Sequence, residues 1–292
     1  MFYSTALPVA GESLLGRIEE FGGGKGANQA VAAARLGANP EFASFLGQDD
    51  TAEKLKGILA DYGVQSGKLR QIPGAESGKA LIFVGADGSN MIGIDAGANT
   101  LFGPDDVALA LTDVPQDAVM VVEMGLPTEA CRAAFAQKGE RFLIFNPAPV
   151  RDQLTETDCA AIDILTPNEI EAAELTGLPI DTVDQAMTAA EVLHERGVAG
   201  VAITLGAGGV VYLDAVRRVH KAAFEVNSVD TTAAGDAFNG GLGAAISQGM
   251  EIEDALGFAV AAAGLSVTRK GAQQSMPSNA EVRALLGEQK VA

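Results

Sequence analysis

The 292 residues include no tryptophan and only two cysteines and two histidines, Cys131, Cys159, His194 and His220. So few thiols and imidazoles, with no CxxC pair, argue against a disulfide framework, a zinc site and a haem site. Basic residues are scarce as well: 20 Lys and Arg stand against 38 Asp and Glu, a formal net charge of −18. Such a surface repels a polyanion, and no basic stripe interleaved with aromatics offsets it, so no nucleic-acid partner is expected. A nucleotide is still allowed, because backbone dipoles and a metal ion build a small phosphate site without fixed cationic side chains. Apolar runs such as GFAVAAAGLSV (257–267) fall well short of the roughly 20 residues of a membrane span, so no membrane partner is expected. The first ten residues lack a basic segment and are followed by Glu12, which argues against a secretory leader. A reduced, cytoplasmic setting is the expectation.

What the chain does have is hydrophobic content, 48%, enough for one large α/β domain over residues 1–292 with a sizeable core. No Pro-, Ser- or Gly-rich linker, charge block or internal repeat divides it. EFASFL (41–46), DAVMVVE (117–123), RFLIFN (141–146), DILT (163–166) and GVAIT (200–204) read as buried strands. Between them DDTAEKLKGILADYG, LPTEACRAAFAQKG, PNEIEAAELTG and DTVDQAMTAAEVLHERG read as amphipathic helices with start and stop signals. The alternation predicts a mostly parallel central sheet flanked by helices on both faces. VAITLGAGGVVYLDAVRRVHKAAF (201–224) reads as antiparallel strands at one sheet edge. Two segments break the rhythm: residues 77–99 read as a hairpin turning at Asp87-Gly88, and residues 11–21 also have strand character. Together they predict a small β-sheet lid, approximately 11–21 and 77–96, over a ligand or against a second subunit.

The chemistry concentrates in two places. In VNSVDTTAAGDAFNGGLGAAISQG (226–249), the carboxylate of Asp236 follows a loop of small residues, Thr231 to Gly235, at the start of an apolar helix. A helix cap explains the carboxylate alone; the small residues ahead of it would also let an anion approach backbone N–H groups. In FGGGKGANQAVAAARLG (21–37) the glycines and Lys25 match neither GxxxxGK[ST] nor GxGxxG. Tight helix packing and ligand binding both explain them, and Asn28, polar in an otherwise apolar helix, favours a bound polar ligand.

GGKGANQAVAAARLG and DTTAAGDAFNGG, taken together, resemble the two signature motifs of the ribokinase family of sugar and nucleoside kinases, the phosphofructokinase B type. NPAP (146–149), TPNEIEAAELTG (166–177), TLGAGG (204–209) and VTRKGAQQS (267–275) match in order between and after them. The resemblance implies a ribokinase-like fold and transfer of the γ-phosphoryl group of ATP to a sugar hydroxyl. D-ribose, giving D-ribose 5-phosphate, is the first expectation; another sugar, a sugar acid or a nucleoside, or an impaired binding homologue, are the alternatives. It implies Asp236 as the base, with the N–H groups of Ala233, Ala234, Gly235 and Asp236 as the anion hole for the phosphoryl group. Gly24, Lys25 and Asn28 would line the sugar site, Lys25 through its backbone or its side chain. Asn168, Thr204 and Gly206 would meet ATP, and Glu171 would organise Mg2+ through water. A plain helix cap and a solvated first-turn acid are the other reading of Asn168 and Glu171. Asp230, Thr232, Ser266, Arg269, Gly271 and Ser275 match positions that hold K+, mostly by carbonyl oxygens. A homodimer through the lid is the expected assembly.

Two departures stand out. The family carries a strand with a sugar-gripping Asn-x-Asp ahead of the segment matched by LPVAGE (7–12), so a chain starting at Met1 is expected to lack that strand. The family also places a sugar-binding Glu just before the segment matching LPTEA, where this chain has Gly125. Glu123, two residues earlier, would face the same side of a strand.

Overall fold

Short apolar strands buried along nearly their whole length build the centre of the molecule, which a computed structural model describes over residues 1–86 and 90–289. The strands are β1 (Phe2–Ser4), β2 (Gly16–Ile18), β3 (Ser44–Gly47), β4 (Leu69–Ile72), β5 (Lys79–Val84) and β6 (Asn90–Asp95), then β7 (Val119–Glu123), β8 (Phe142–Asn146), β9 (Ile164–Leu165), β10 (Gly200–Thr204), β11 (Val210–Asp214) and β12 (Arg218–Lys221). The helices are α1 (Lys25–Arg35), α2 (Asp50–Asp61), α3 (Pro104–Ala110), α4 (Thr128–Gln137) and α5 (Glu156–Ala161), then α6 (Glu169–Thr176), α7 (Val183–Glu195), α8 (Ala234–Ser247), α9 (Ile252–Ser266) and α10 (Asn279–Gln289).

Six strands form the main sheet in the order β12-β11-β10-β9-β8-β7. β7 to β10 run parallel, while β11 and β12 close one edge as an antiparallel meander. Successive residues of one strand enter opposite layers: Leu143 and Phe145 of β8 pack with α4, α6 and α7, and Ile144 packs with α8 and α9. Val201 and Ile203 of β10 divide from Ala202 in the same way. A sheet buried on both faces needs apolar side chains at every position, which is why these strands read as unbroken hydrophobic runs. β3 and β4 pair in parallel as a separate two-stranded unit, and Phe45 of β3 shares an apolar cluster with Met120 and Val122 of β7. No helix among the described residues is long and apolar enough to cross a membrane.

The predicted lid is a four-stranded sheet in the order β2-β1-β5-β6. Only Gly16–Ile18 of residues 11–21 is extended, and the lid gains an unexpected strand, Phe2–Ser4, which runs antiparallel to β2 and parallel to β5. The Phe2 and Phe83 rings meet edge to face at 5.6 Å and fix that pairing. The Asp87-Gly88 turn lies outside the described residues. At the base of the lid Ser77 gives its N–H and hydroxyl to the Asp49 carboxylate at 2.8 and 2.7 Å, anchoring the hairpin to the start of α2. Asp49 is held below its usual carboxylate value mainly by these bonds.

The element that places the site is the contact of α1 with α8. Gly240 of α8 has no side chain where one would lie 2.4 Å from Gln29 O and 2.6 Å from the Ala32 Cβ. The alanines of α1 and this glycine let the two axes approach closely, so polar side chains from the first turns of both helices meet.

Candidate active site

Asp236 enters the interior because the chain turns sharply just ahead of it. Ala233 caps α8 in the left-handed region, φ 61°, a conformation that costs a residue with a Cβ and is retained where the surroundings enforce it. Ala237 is the first residue whose N–H turns back onto the cap, bonding Ala233 O at 2.9 Å. Among the described residues Gly235 and Asp236 give their N–H groups to no carbonyl, which leaves donors and the positive end of the helix dipole at one place. The Asp236 carboxylate is 8% exposed and both oxygens are held by neighbours on α1. Asn28 Nδ2 donates to Oδ2 at 2.8 Å, and Gln29 Nε2 donates to Oδ1 at 3.1 Å. Burial raises the Asp236 pKa, and Lys25, Asn28 and Gln29 pull against that rise by stabilising the anion. Asn28 Oδ1 is buried with no partner among the described residues, an acceptor that wants a donor.

Gly24 caps α1 with φ 98°, open to glycine and strained for other residues, and it sets Lys25 at the first helical position. The Lys25 charge favours the ionised forms of three carboxylates, Asp236, Glu123 and Glu171, from three different elements.

Glu123 ends β7, and the structure explains the glycine two residues later. The carboxylate folds back over Gly125 and accepts its N–H at 2.6 Å; a Cβ on residue 125 would lie 2.5 Å from Glu123 Oε2. Gly125 is thus the seat of the Glu123 carboxylate. Burial pushes the Glu123 carboxyl up to about 7 from 4.5, with the Gly125 N–H opposing and the Asp236 charge adding to the rise. An acid whose folded value is raised binds its proton more tightly folded than unfolded, so stability is lost as pH climbs from about 4.5 through about 7. Glu123→Gln, which keeps the acceptor and never ionises, is expected to match the parent near pH 4. Above pH 7.5 it is expected to be more stable by about 2 kcal/mol, allowing for solvent that reaches this half-buried group. Denaturant unfolding without sugar at both pH values checks it; a pH-independent difference means that Glu123 titrates normally.

The carboxyl ends of the parallel strands deliver the remaining residues to one rim, where open α/β sheets bind ligands. Asn168 follows β9 and bridges in parallel to Thr204 at the end of β10, whose N–H reaches Pro167 O at 3.0 Å. Asn168 and Glu171 form a reciprocal capping box at 2.8 and 2.9 Å. Glu171 is nonetheless buried rather than a solvated first-turn acid, and burial raises its pKa. Gly206, φ 51°, begins the tight turn after β10. Asp230 clasps two segments: Oδ1 accepts from Thr232 N and Oδ2 from Gly271 N, each at 2.9 Å. Val229 and Asp230 both donate to Val267 O, and Arg269 N donates to Ser266 O. The 230–232 loop and the 266–275 segment therefore lie together, with the Arg269 side chain turned away to Glu281 and Ser275 fully buried. No group of three or more His, Cys, Asp or Glu that could hold a metal ion occurs among the described residues.

Sequence reasoning missed Gln29, Asn146, Thr166 and Asn239, all buried and hydrogen-bonded behind Asp236. Their signal was present but faint: each is a polar residue inside a run otherwise apolar enough to be core.

A family model described as pfkB family carbohydrate kinase matches residues 4–279. The chain is 37% identical over 279 residues to the deoxyribokinase of Salmonella typhi, covering 94% of this chain and 91% of that one. It is 38% identical over 280 residues to the ribokinase of Haemophilus influenzae, with the same coverage of 94% and 91%. Among solved structures, Arabidopsis thaliana ribokinase complexed with ribose and ATP superposes with a TM-score of 0.85 at 30% identity, covering 98% of this chain and 95% of that one.

Proposed function

Because the chain belongs to the pfkB family of carbohydrate kinases, phosphotransferases with an alcohol group as acceptor, we propose that it transfers the γ-phosphoryl group of ATP to a hydroxyl of D-ribose. The observation that carries the reading is Asp236: a buried carboxylate, raised in basicity, at a helix start whose free N–H groups face the same place. It takes the proton of the attacking hydroxyl while the Ala233 to Asp236 loop receives charge on the phosphoryl oxygens, the two tasks that phosphoryl transfer asks of a protein. The unpartnered Asn28 Oδ1 accepts from a second sugar hydroxyl, with Gly24, Lys25 and Glu123 beside it. Asn168, Thr204 and Gly206 hold the nucleotide at the strand ends. Glu171, with one oxygen committed to its cap, fits a magnesium ion held through water; bound there, Mg2+ would neutralise phosphate charge. The Asp230 carboxylate ties the 230–232 loop to the segment at Gly271, and carbonyls of Asp230, Thr232, Ser266, Arg269, Gly271 and Ser275 would hold a potassium ion there, whose charge would order the anion loop.

The test is ADP release with D-ribose, 2-deoxy-D-ribose, D-fructose and a ribonucleoside. The highest kcat/KM with D-ribose is expected; no sugar-dependent ADP release would overturn the reading. Likeness to a deoxyribokinase at 37% identity supports a second reading, 2-deoxy-D-ribose, which the same panel separates.

The lid supports a homodimer. Ile82 opposite Ile92 and Ala80 opposite Ile94 share one face, while Leu81, Phe83 and Met91 stand on the other. Ile18, Leu81, Ile92 and Ile94 are each more than half exposed, and one such face covers the sugar while the other meets a second copy. Light scattering at micromolar concentration is expected to give twice the chain mass, and Ile94→Lys or Ile92→Lys to give a monomer; a monomeric parent with full activity rules the dimer out.

A further inference from the structure

Gln29 has no part in the chemistry proposed above, yet it is 4% exposed and lies against the carboxylate on which that chemistry turns. Its Nε2 is 3.1 Å from Asp236 Oδ1 and 3.4 Å from Asn146 Oδ1, so a donor from the second turn of α1 is shared between the start of α8 and the end of β8. Asn146 Nδ2 donates to Thr166 O at 2.8 Å. The Thr166 hydroxyl donates to Asn239 Oδ1 at 2.6 Å, and Asn239 Nδ2 donates to Gly235 O at 2.8 Å, the carbonyl within the phosphoryl loop. A run of buried amides and one hydroxyl thus starts at the base and returns to the loop that would cradle the phosphate.

We propose that Gln29, backed by Asn146, is a positioning residue that sets the direction of the Asp236 carboxylate relative to the Gly235 loop. Asn28 alone fixes one oxygen and leaves the group free to swing about that contact; a second donor on the other oxygen fixes the plane. In a buried site of low dielectric these bonds are strong and pre-formed, so no reorganisation is needed when the proton moves. The proposal rests on Asp236 being the base.

The groups facing Asp236 define what a pH profile reads: the Lys25 ammonium from the start of α1, the Glu123 carboxylate from the end of β7, and the neutral amides of Asn28 and Gln29. In Gln29→Met the chain length stays and the donor goes. We expect kcat to fall roughly 10- to 100-fold and the acid limb of kcat/KM to move up by about one pH unit, since the ionised carboxylate has lost a hydrogen bond. Nucleotide affinity should stay within about twofold, because no nucleotide contact is touched. Gln29→Glu donates only while protonated, so its activity relative to Gln29→Met should be higher at low pH and fall away as pH rises. A folded Gln29→Met with unchanged kcat and limb overturns the proposal, as does a loss confined to the sugar KM. Should Gln29→Met fail to fold by circular dichroism, Asn146→Ser carries the test, with a smaller shift in the same direction expected and an unmoved limb overturning it. Asp236→Asn in the same assay separates the two readings: retained turnover there removes the base itself, whereas loss there with a normal Gln29→Met removes only the positioning role.

Discussion

Asp236→Asn is expected to lower kcat by about two to four orders of magnitude while leaving nucleotide affinity within about threefold, the usual scale of losing a general base. The amide has the same shape and keeps an oxygen to accept from Asn28 or Gln29, but it turns one donor toward another, so the buried contact is weakened rather than emptied. Removing the charge also relieves a desolvation cost, since burial is the largest influence on this group. The variant should therefore unfold at a temperature equal to or above that of the parent. Falling activity with undiminished stability is the signature of a carboxylate buried for chemistry. Turnover within tenfold of the parent would remove Asp236 from the mechanism, and lost activity with a markedly lower unfolding temperature would assign it to structure.

Much of the fold was legible because its central strands carry apolar side chains on both faces. LIFN of β8 and GVAIT of β10 announce themselves, and the helices α2, α6 and α7 carry the caps Asp49, the Asn168–Glu171 box and Thr182. What stayed hidden was made by distant partners. β1 is three residues whose pairing depends on β2 and on β5, some 80 residues away, and β4, LRQI, has the look of a surface loop. α9 is apolar nearly all round because it lies between α8 and α10, so it shows no amphipathic stripe. The site follows the same division. Asp236 and Asn28 stand out within short motifs, whereas Gln29 gains meaning only from Asn146 and Asp236, 117 and 207 residues further on. Gly125 read as a missing acid; only the backbone shows it to be the space into which the Glu123 carboxylate folds.

Gly235→Val should cost catalysis heavily and stability little. Its sequence setting predicts both steric obstruction and intolerant backbone angles, and the structure retains only the first. A Cβ built at Gly235 meets nothing within 4 Å, and its φ lies outside the positive range. The strained residue of this turn is Ala233, one that already bears a Cβ. Valine at 235 is therefore tolerated by the protein itself, at no more than the fraction of a kcal/mol by which a β-branched residue and glycine differ in a helix. Its branches would project into the open space beside the unengaged N–H groups of Gly235 and Asp236, where, in the proposed reaction, a phosphoryl group would come within about 3 Å of those donors. Loss of one such donor contact costs roughly two to three orders of magnitude in kcat, and valine would hinder more than one. The expected result is a thermal midpoint within about 2 °C of the parent, with kcat down at least a hundredfold. Gly235→Ala, smaller and open to the same space, should fall between the two. Full turnover in a folded Gly235→Val would show that no ligand approaches this loop closely, and the anion hole would then have to be sought elsewhere along the strand ends.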